Sequence, residues 1–224
     1  MSFQSPSDVE LVAVERIKAR LSAEHEHHKF SDIAILRFLR GRKGDEDKAF
    51  KALNRHLEWR EEHDVDNIHS HVHTFDVELK SNKVLVHGHD RNGRPAVFIY
   101  ARRHNKHARD MSQVTKLIIY TLEDILKKTN PQEERMIICF DLSGFTLSSM
   151  DYDAVKMLIN ILQFNYPDTL ETAYVIGAPF IFWACWSIIK HWIDPVTVSK
   201  VEFVSKDQVL DILPPESVPH DFHT

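Results

Sequence analysis

The sequence predicts a mixed α/β protein: a small helical unit at the N-terminus, then a five-stranded, mostly parallel sheet with helical crossovers. Up to about Ile68 apolar residues recur only at helical spacing, whereas from Lys83 onward short β-type runs alternate with helical ones. The first two β runs are joined directly by the turn Asp90-Arg91-Asn92-Gly93, while each later run is separated from the next by a helix. The 224 residues, 43% of them hydrophobic, suffice for one main domain with a core of its own and a small appendage. The boundary is placed at residue 70, giving a helical lobe over 1–70 and a second lobe over 71–224.

Val9, Val12, Ile17 and Leu21 make an amphipathic first helix over residues 9–21. Ser31 caps a second, whose Ile33, Leu36 and Leu39 face a core until Gly41 stops it. From Asp45 onward Ala49, Phe50, Leu53, Leu57 and Trp59 make a third, ending near Glu62. Strands are expected over residues 83–87, 95–100, 135–141, 172–178 and 201–204, with helices over 112–128, 150–164 and 180–193. Gly93 supplies the positive φ of the turn, so the first two strands form a hairpin.

Composition excludes several function classes. With 28 Lys plus Arg against 33 Asp plus Glu, a net charge of −5 gives no driving force for binding nucleic acid. Cys139 and Cys185 sit in apolar runs, as buried thiols of a reducing compartment do, and the polar N-terminus carries neither a secretory signal nor a myristoylation glycine. A cytoplasmic protein is expected. The longest apolar run, 175–193, is broken by Pro179, and the about 14 residues that follow fall short of the roughly 20 that span a bilayer. None of the six glycines falls in a GxGxxG or GxxxxGK pattern, and no GxSxG occurs, so nucleotide binding and hydrolysis lack their usual signatures and no enzyme is expected. Of the 15 histidines, His69, His71 and His73 alternate so as to share one side of an extended segment. They lie in a polar connection, where solvated histidines are expected rather than a metal site, and no cofactor is called for.

The informative stretch is 178–193. After Pro179, apolar residues surround the helix axis: Phe180, Ile181, Phe182, Trp183, Cys185, Trp186, Ile188, Ile189, Trp192 and Ile193. Such a helix has no water face, so it is either a central core helix or one whose outer side meets an apolar partner such as an acyl chain or a membrane. Next comes Asp194-Pro-Val-Thr-Val-Ser-Lys200, where Asp194 caps a short turn. This is either a simple cap or a small anion site, with free N–H groups near Thr197, the Thr197 hydroxyl and the Lys200 charge. Arg102, Arg103, Lys106 and Arg109 make either a solvated loop or a contact for anionic membrane.

Seven blocks, in order, resemble the CRAL-TRIO family, and within it the secretory phosphatidylinositol/phosphatidylcholine transfer proteins. They are LRFLRGRK (36–43), Trp59-Arg60, DRNGRP (90–95), DLSGFTLSS (141–149), NYPDT (165–169), GAPFIF (177–182) and DPVTVSK (194–200). The resemblance implies a CRAL-TRIO lobe with a hydrophobic lipid pocket, closed by a gate helix that opens at a membrane surface. The gate and acyl-chain residues would be Phe180, Phe182, Trp183, Trp186, Ile189 and Ile193. A phosphatidylinositol headgroup would be held by Arg42, Lys43, Asp168, Thr197 and Lys200, and a second, phosphatidylcholine headgroup by the hydroxyls of Thr146 and Ser148. Asp168 replaces the usual Glu, Thr169 replaces a basic residue, and Val97 stands where a Tyr is typical. The implied protein is a monomer that exchanges lipid between membranes without catalysis, bound peripherally to them and presenting phosphatidylinositol to a lipid kinase in phosphoinositide signalling. Carriers of another hydrophobic ligand (sterol, tocopherol, retinoid or haem) and membrane-associated interaction modules are the alternatives.

Overall fold

The computed structural model describes residues 4–25 and 30–222. Helices α1 (Asp8–Glu24), α2 (Asp32–Gly41) and α3 (Glu46–Glu62) come first. Each begins on a side-chain cap, which satisfies backbone N–H groups that a helix start leaves open. Ser7 Oγ accepts from the Glu10 N–H while the Glu10 carboxylate accepts from the Ser7 N–H, Ser31 Oγ accepts from Ala34 and Asp45 from Lys48. Val14, Ile17 and Leu21 pack on Ile35, Leu39 and Leu53, so the three helices own a separate core.

The chain then forms a 3-10 helix, Val65–Thr74, and a short helix α4 (Asp76–Lys80). This corrects the extended reading of the histidine triplet: at three residues per turn, alternate residues do not share a face. His71 Nε2 meets Asp64 at 2.8 Å and His69 Nε2 accepts from Lys127 Nζ at 2.7 Å. Val65, Ile68 and Phe75 pack on Leu117 and Ile119 of α5 (Met111–Leu126), so the segment that contains residue 70 adheres to the second lobe.

The sheet has the order β1 (Val84–His89), β2 (Pro95–Tyr100), β3 (Met136–Asp141), β4 (Leu170–Ile176) and β5 (Val201–Val204). β1 and β2 form the antiparallel hairpin, with Val86 opposite Val97, and the remaining pairs are parallel. In the hairpin turn Gly93 has φ +82°, and the Asp90 carboxylate accepts from the Asn92 and Arg94 N–H groups at 2.8 Å. One sheet face, through Phe98, Tyr100, Ile137 and Cys139, packs on the C-terminal Val209, Leu213, Val218 and Phe222. Burial there pushes the Cys139 thiol up to about 12. The other face, through Val97, Ile138 and Phe140, looks toward α5 and α6 (Tyr152–Asn165).

The apolar run that follows β4 is shorter and more lopsided than its composition predicts. Pro179 O accepts from the Phe182 N–H in a turn, so helix α7 covers only Phe182–Ile189, followed by a 3-10 turn at Lys190–Trp192. α7 buries Phe182, Cys185 and Ile189 toward the sheet. Its other side is apolar and uncovered, with Trp183 and Ile188 half-exposed and Phe180 in the preceding turn 91% exposed, because the single sheet covers the helix on one side only; a central core helix is thereby excluded. Among the described residues no helix is long and apolar enough to cross a membrane.

Candidate functional site

A cavity of about 570 Å³ lies between the second sheet face, α5, α6 and α7. Val97, Ile138, Phe140 and Val175 make its floor, Ile118 and Leu122 one wall, Val155 and Ile159 another. Phe182, Trp186, Ile189 and Ile193 close it from the α7 side. These are four of the six residues that the sequence assigned to a gate. The other two stand outside: Phe180 points into solvent, and Trp183 stacks on Phe203 with ring centroids 4.4 Å apart.

Arg42, Lys43, Asp168, Thr197 and Lys200 all line this one cavity, although they come from three distant parts of the chain. Arg42 and Lys43 follow α2, where the Gly44 N–H bonds Leu39 O at 2.9 Å and Lys43 and Gly44 take φ +57° and +81° to turn the chain toward α3. Burial, with repulsion from Arg55, lowers the Arg42 pKa from its ordinary value. Asp168 sits just ahead of β4 at φ +54°, in the turn whose Pro167 packs against the end of α2. A Cβ on Gly41 would come within 2.8 Å of the Pro167 Cβ, so a residue without a side chain is what lets α2 reach the cavity mouth.

The Asp168 carboxylate accepts from Arg135 Nη2 at 3.0 and 3.1 Å and lies 3.5 Å from Lys200 Nζ. Lys200 donates in addition to Leu170 O at 2.7 Å, and Arg135 Nη1 to Glu171 at 2.6 Å. Arg135 escapes sequence reasoning because it precedes β3, and only the strand pairing of Met136 with Leu170 brings it beside Asp168.

Thr197 lies in helix α8 (Pro195–Val198). Of the two readings of this turn, a simple cap or an anion site with free N–H groups, the bonds favour the cap: the N–H groups of Val196 and Thr197 both donate to Asp194 Oδ1 at 3.0 Å. The cap that starts the turn thus consumes them, and Thr197 offers only its hydroxyl. Thr146 and Ser148 also differ from expectation. Thr146 begins a 3-10 turn over Leu147–Ser149, the two hydroxyls bond each other at 2.8 Å, and both side chains are exposed outside the cavity, which Ser149 lines instead.

At the other end of the cavity the wall is polar in a way the sequence did not announce. Lys83, His104 and Asp151 line it, and Glu78 and Arg109 support them from behind. Lys83 pairs with Glu78 and bonds His104 Nδ1 at 3.2 Å, and His104 Nε2 bonds Asp151 at 2.9 Å. Burial alone would push the Asp151 carboxyl up, yet its bonds to Arg109, His104 and the Ala154 N–H outweigh that and hold it at about 2.

A family model described as the CRAL/TRIO domain matches residues 79–223. A CRAL-TRIO domain-containing protein of Schizosaccharomyces pombe is 34% identical over 179 residues, which cover 77% of this chain and 40% of that protein. The phosphatidylinositol transfer protein CSR1 of Eremothecium gossypii is 34% identical over 206 residues, 85% of this chain and 46% of that protein. The chain therefore spans less than half the length of these two relatives. The SEC14 cytosolic factor of Eremothecium gossypii is 29% identical over 233 residues, 94% of this chain and 74% of its own length. The crystal structure of Sfh5 matches with a TM-score of 0.73 and 17% identity, covering 94% of this chain and 84% of that one, a likeness of fold.

Proposed function

This chain belongs to the CRAL/TRIO domain family, and from that premise we propose that it binds one phosphatidylinositol molecule and exchanges it between membranes without making or breaking a bond. The observation that supports this most is the convergence of Arg42, Lys43, Asp168, Thr197 and Lys200 at one end of an otherwise apolar cavity. Arg40, Arg42, Lys43 and Lys200 line that end with one carboxylate, Asp168, which Arg135 offsets from behind, so the corner favours an anion. Arg42, Lys43 and Lys200 hold the phosphate, while Asp168 and Thr197 meet the hydroxyls of the inositol ring. The acyl chains lie along Val97, Ile138 and Phe140, where each buried CH₂ contributes about 0.8 kcal/mol. Chains give affinity and the corner gives selectivity.

The exposed Phe180, Trp183 and Ile188 supply the surface that meets the membrane, and α7 moves to admit the lipid. The protein works as a monomer, peripheral to cytoplasmic membranes, and hands phosphatidylinositol to a lipid kinase. The name of CSR1, a phosphatidylinositol transfer protein, supports the same ligand. Phosphatidylcholine draws no such support, since Thr146 and Ser148 stand outside the cavity and Val97 has no hydroxyl.

Native mass spectrometry with lipid extraction, then vesicle-to-vesicle transfer by wild type and Lys200→Ala, tests the reading. The expected result is phosphatidylinositol in the purified protein, with its transfer lowered about tenfold or more in the variant, the worth of one charge-assisted hydrogen bond. Recovery of a different lipid, or normal transfer by Lys200→Ala, would sink the assignment.

A further inference from the structure

Two turns enter the sheet side by side where the parallel strands begin, residues 130–135 ahead of β3 and 166–169 ahead of β4. The Met136 N–H joins them by donating to Thr169 O at 2.9 Å. Each turn holds one residue in the left-handed region, Glu134 at φ +48° and Asp168 at φ +54°. Residues with a Cβ rarely adopt this conformation, and it persists where the surroundings over-determine it. Glu134 has less reason than Asp168 to be there, since its longer side chain is not one that favours the left-handed region by bonding locally.

Arg37 supplies the constraint. It leaves α2 toward both turns with a side chain only 8% exposed. Its Nη2 pairs with Glu134 Oε2 at 2.8 Å, and its Nη1 donates to Pro167 O at 3.4 Å. The Glu134 carboxylate also accepts from Ser31 Oγ, the cap of α2, at 3.3 Å. Glu134 is followed in the chain by Arg135, which bonds Asp168, and Asp168 is preceded by Pro167. The contacts therefore close a ring: Arg37 to Glu134, along the chain to Arg135, across to Asp168, back along the chain to Pro167, and to Arg37 again.

Arg37 and Glu134 stand behind the cavity wall, whereas Asp168 is part of it, so Arg37 acts on a bound molecule through Asp168. An ion pair that only stapled α2 to the sheet would need Glu134 alone. The second contact falls on the carbonyl of the peptide unit that carries the Asp168 N–H. That unit is planar, so holding its oxygen fixes the direction in which Asp168 leaves it. A guanidinium presents Nη1 and Nη2 in a rigid fork and thereby sets the spacing of the two turns, which the point charge of a lysine does not.

We propose that Arg37 is a positioning residue: by locking this ring it aims Asp168 at the hydroxyl groups of the headgroup, so that headgroup discrimination depends on a side chain of the helical lobe that the ligand never touches. The hydroxyl contact rests on the phosphatidylinositol reading above, whereas the locking of the two turns does not.

The test is uptake by the full chain from vesicles holding phosphatidylinositol and phosphatidylmethanol with matched acyl chains, scored by mass spectrometry of the extracted protein. Both lipids carry one phosphodiester charge and only phosphatidylinositol brings ring hydroxyls, so the ratio of the two isolates Asp168 and cancels any change in folded fraction. Wild type is expected to favour phosphatidylinositol about tenfold, the worth of one charge-assisted hydrogen bond. Arg37→Lys, which keeps a charge opposite Glu134, is expected to abolish that preference, as is Arg37→Met/Glu134→Gln, which strands no charge. In an Asp168→Asn background Arg37→Lys is expected to change the ratio no further. A preference that survives both Arg37 variants would overturn the proposal, as would a further fall in the Asp168→Asn background. Absence of any preference in wild type would fail the ligand reading alone, and amide exchange then decides the role of Arg37 without a lipid. In Arg37→Lys the amide hydrogens of Glu134, Met136, Asp168 and Thr169 are expected to exchange about tenfold faster, with those of α5 and β2 unchanged. Equal rates in the two turns, or a rise shared by the whole sheet, would overturn the assignment.

Discussion

Replacing Arg135 by Ala removes a side chain that never reaches the cavity, yet the geometry makes the headgroup corner depend on it. The guanidinium is 8% exposed and bonds Asp168 twice and Glu171 once, and these carboxylates are themselves only 18% and 12% exposed. Breaking a buried ion pair from one side typically costs about 3–5 kcal/mol, because the partner's charge stays behind unpaired. Glu171 keeps Arg94 at 3.3 Å and Asp168 keeps Lys200 at 3.5 Å, so the lower end, about 3 kcal/mol, is expected. The orphaned Asp168 then closes on Lys200 and occupies the ammonium assigned to the phosphate. Urea unfolding should report the lost stability, and phosphatidylinositol capture, compared at equal folded fraction, should fall with it. Arg135→Ala/Asp168→Asn should recover most of the stability, since no carboxylate is then stranded, and Arg135→Lys should restore the charge without the two-pronged contact. A single variant that loses less than about 1 kcal/mol and captures phosphatidylinositol like wild type would refute this account of the corner.

Acid should weaken the protein through His56, which burial, against its bond to Asn165, holds at about 4 instead of 6.5. The unfolded chain takes up that proton near pH 6.5 and the folded chain only near 4, so the contribution is intact above 6.5 and drains away as pH falls to about 4. At about 1.4 kcal/mol per pH unit the total is about 3 kcal/mol. Urea titrations at about pH 7 and about pH 4.5 should show His56→Gln lacking this part of the acid sensitivity, and identical slopes in both proteins would contradict it. Gly41→Ala places a methyl group 2.8 Å from the Pro167 Cβ, and overpacking of this kind costs about 1–3 kcal/mol. It should lower the melting temperature and slow phosphatidylinositol exchange, and an unchanged melt would show that α2 can shift freely.

What the sequence made legible was local. The caps at Ser31 and Asp45, the Asp90–Gly93 turn and the strand runs from Pro95 onward lie where pattern and turn chemistry place them, because each is decided by residues a few positions apart. The corner residues were found through motif resemblance, and their convergence on one cavity needs the sheet to form. Misreadings arose where one pattern serves two structures. Alternating histidines read as an extended segment but lie on a 3-10 helix. The all-round apolar run left two structures open, a central core helix and a helix with its outer side toward an apolar partner, and the sheet covers it from one side only. Asp194 carries the signature of a helix cap whether or not an anion binds, and in the structure the cap takes the N–H groups. Arg135 and Lys83 stayed invisible because their partners lie far off in sequence, Asp168 33 residues from Arg135 and His104 21 residues from Lys83.

The placement of Arg42 and Lys43 on one packed core and of Asp168, Thr197 and Lys200 on another makes the phosphate corner a seam. The singly charged phosphodiester of the lipid, held by Arg42 and Lys43 on one side and by Lys200 on the other, would fasten the N-terminal helices to the sheet, much as a rivet joins two plates. Binding energy then becomes folding energy for both halves. Amide hydrogens in α1, which touches no ligand, should exchange more slowly in the lipid-loaded protein than in the empty one, and the loss of a headgroup would be felt as a loosening of the whole helical lobe.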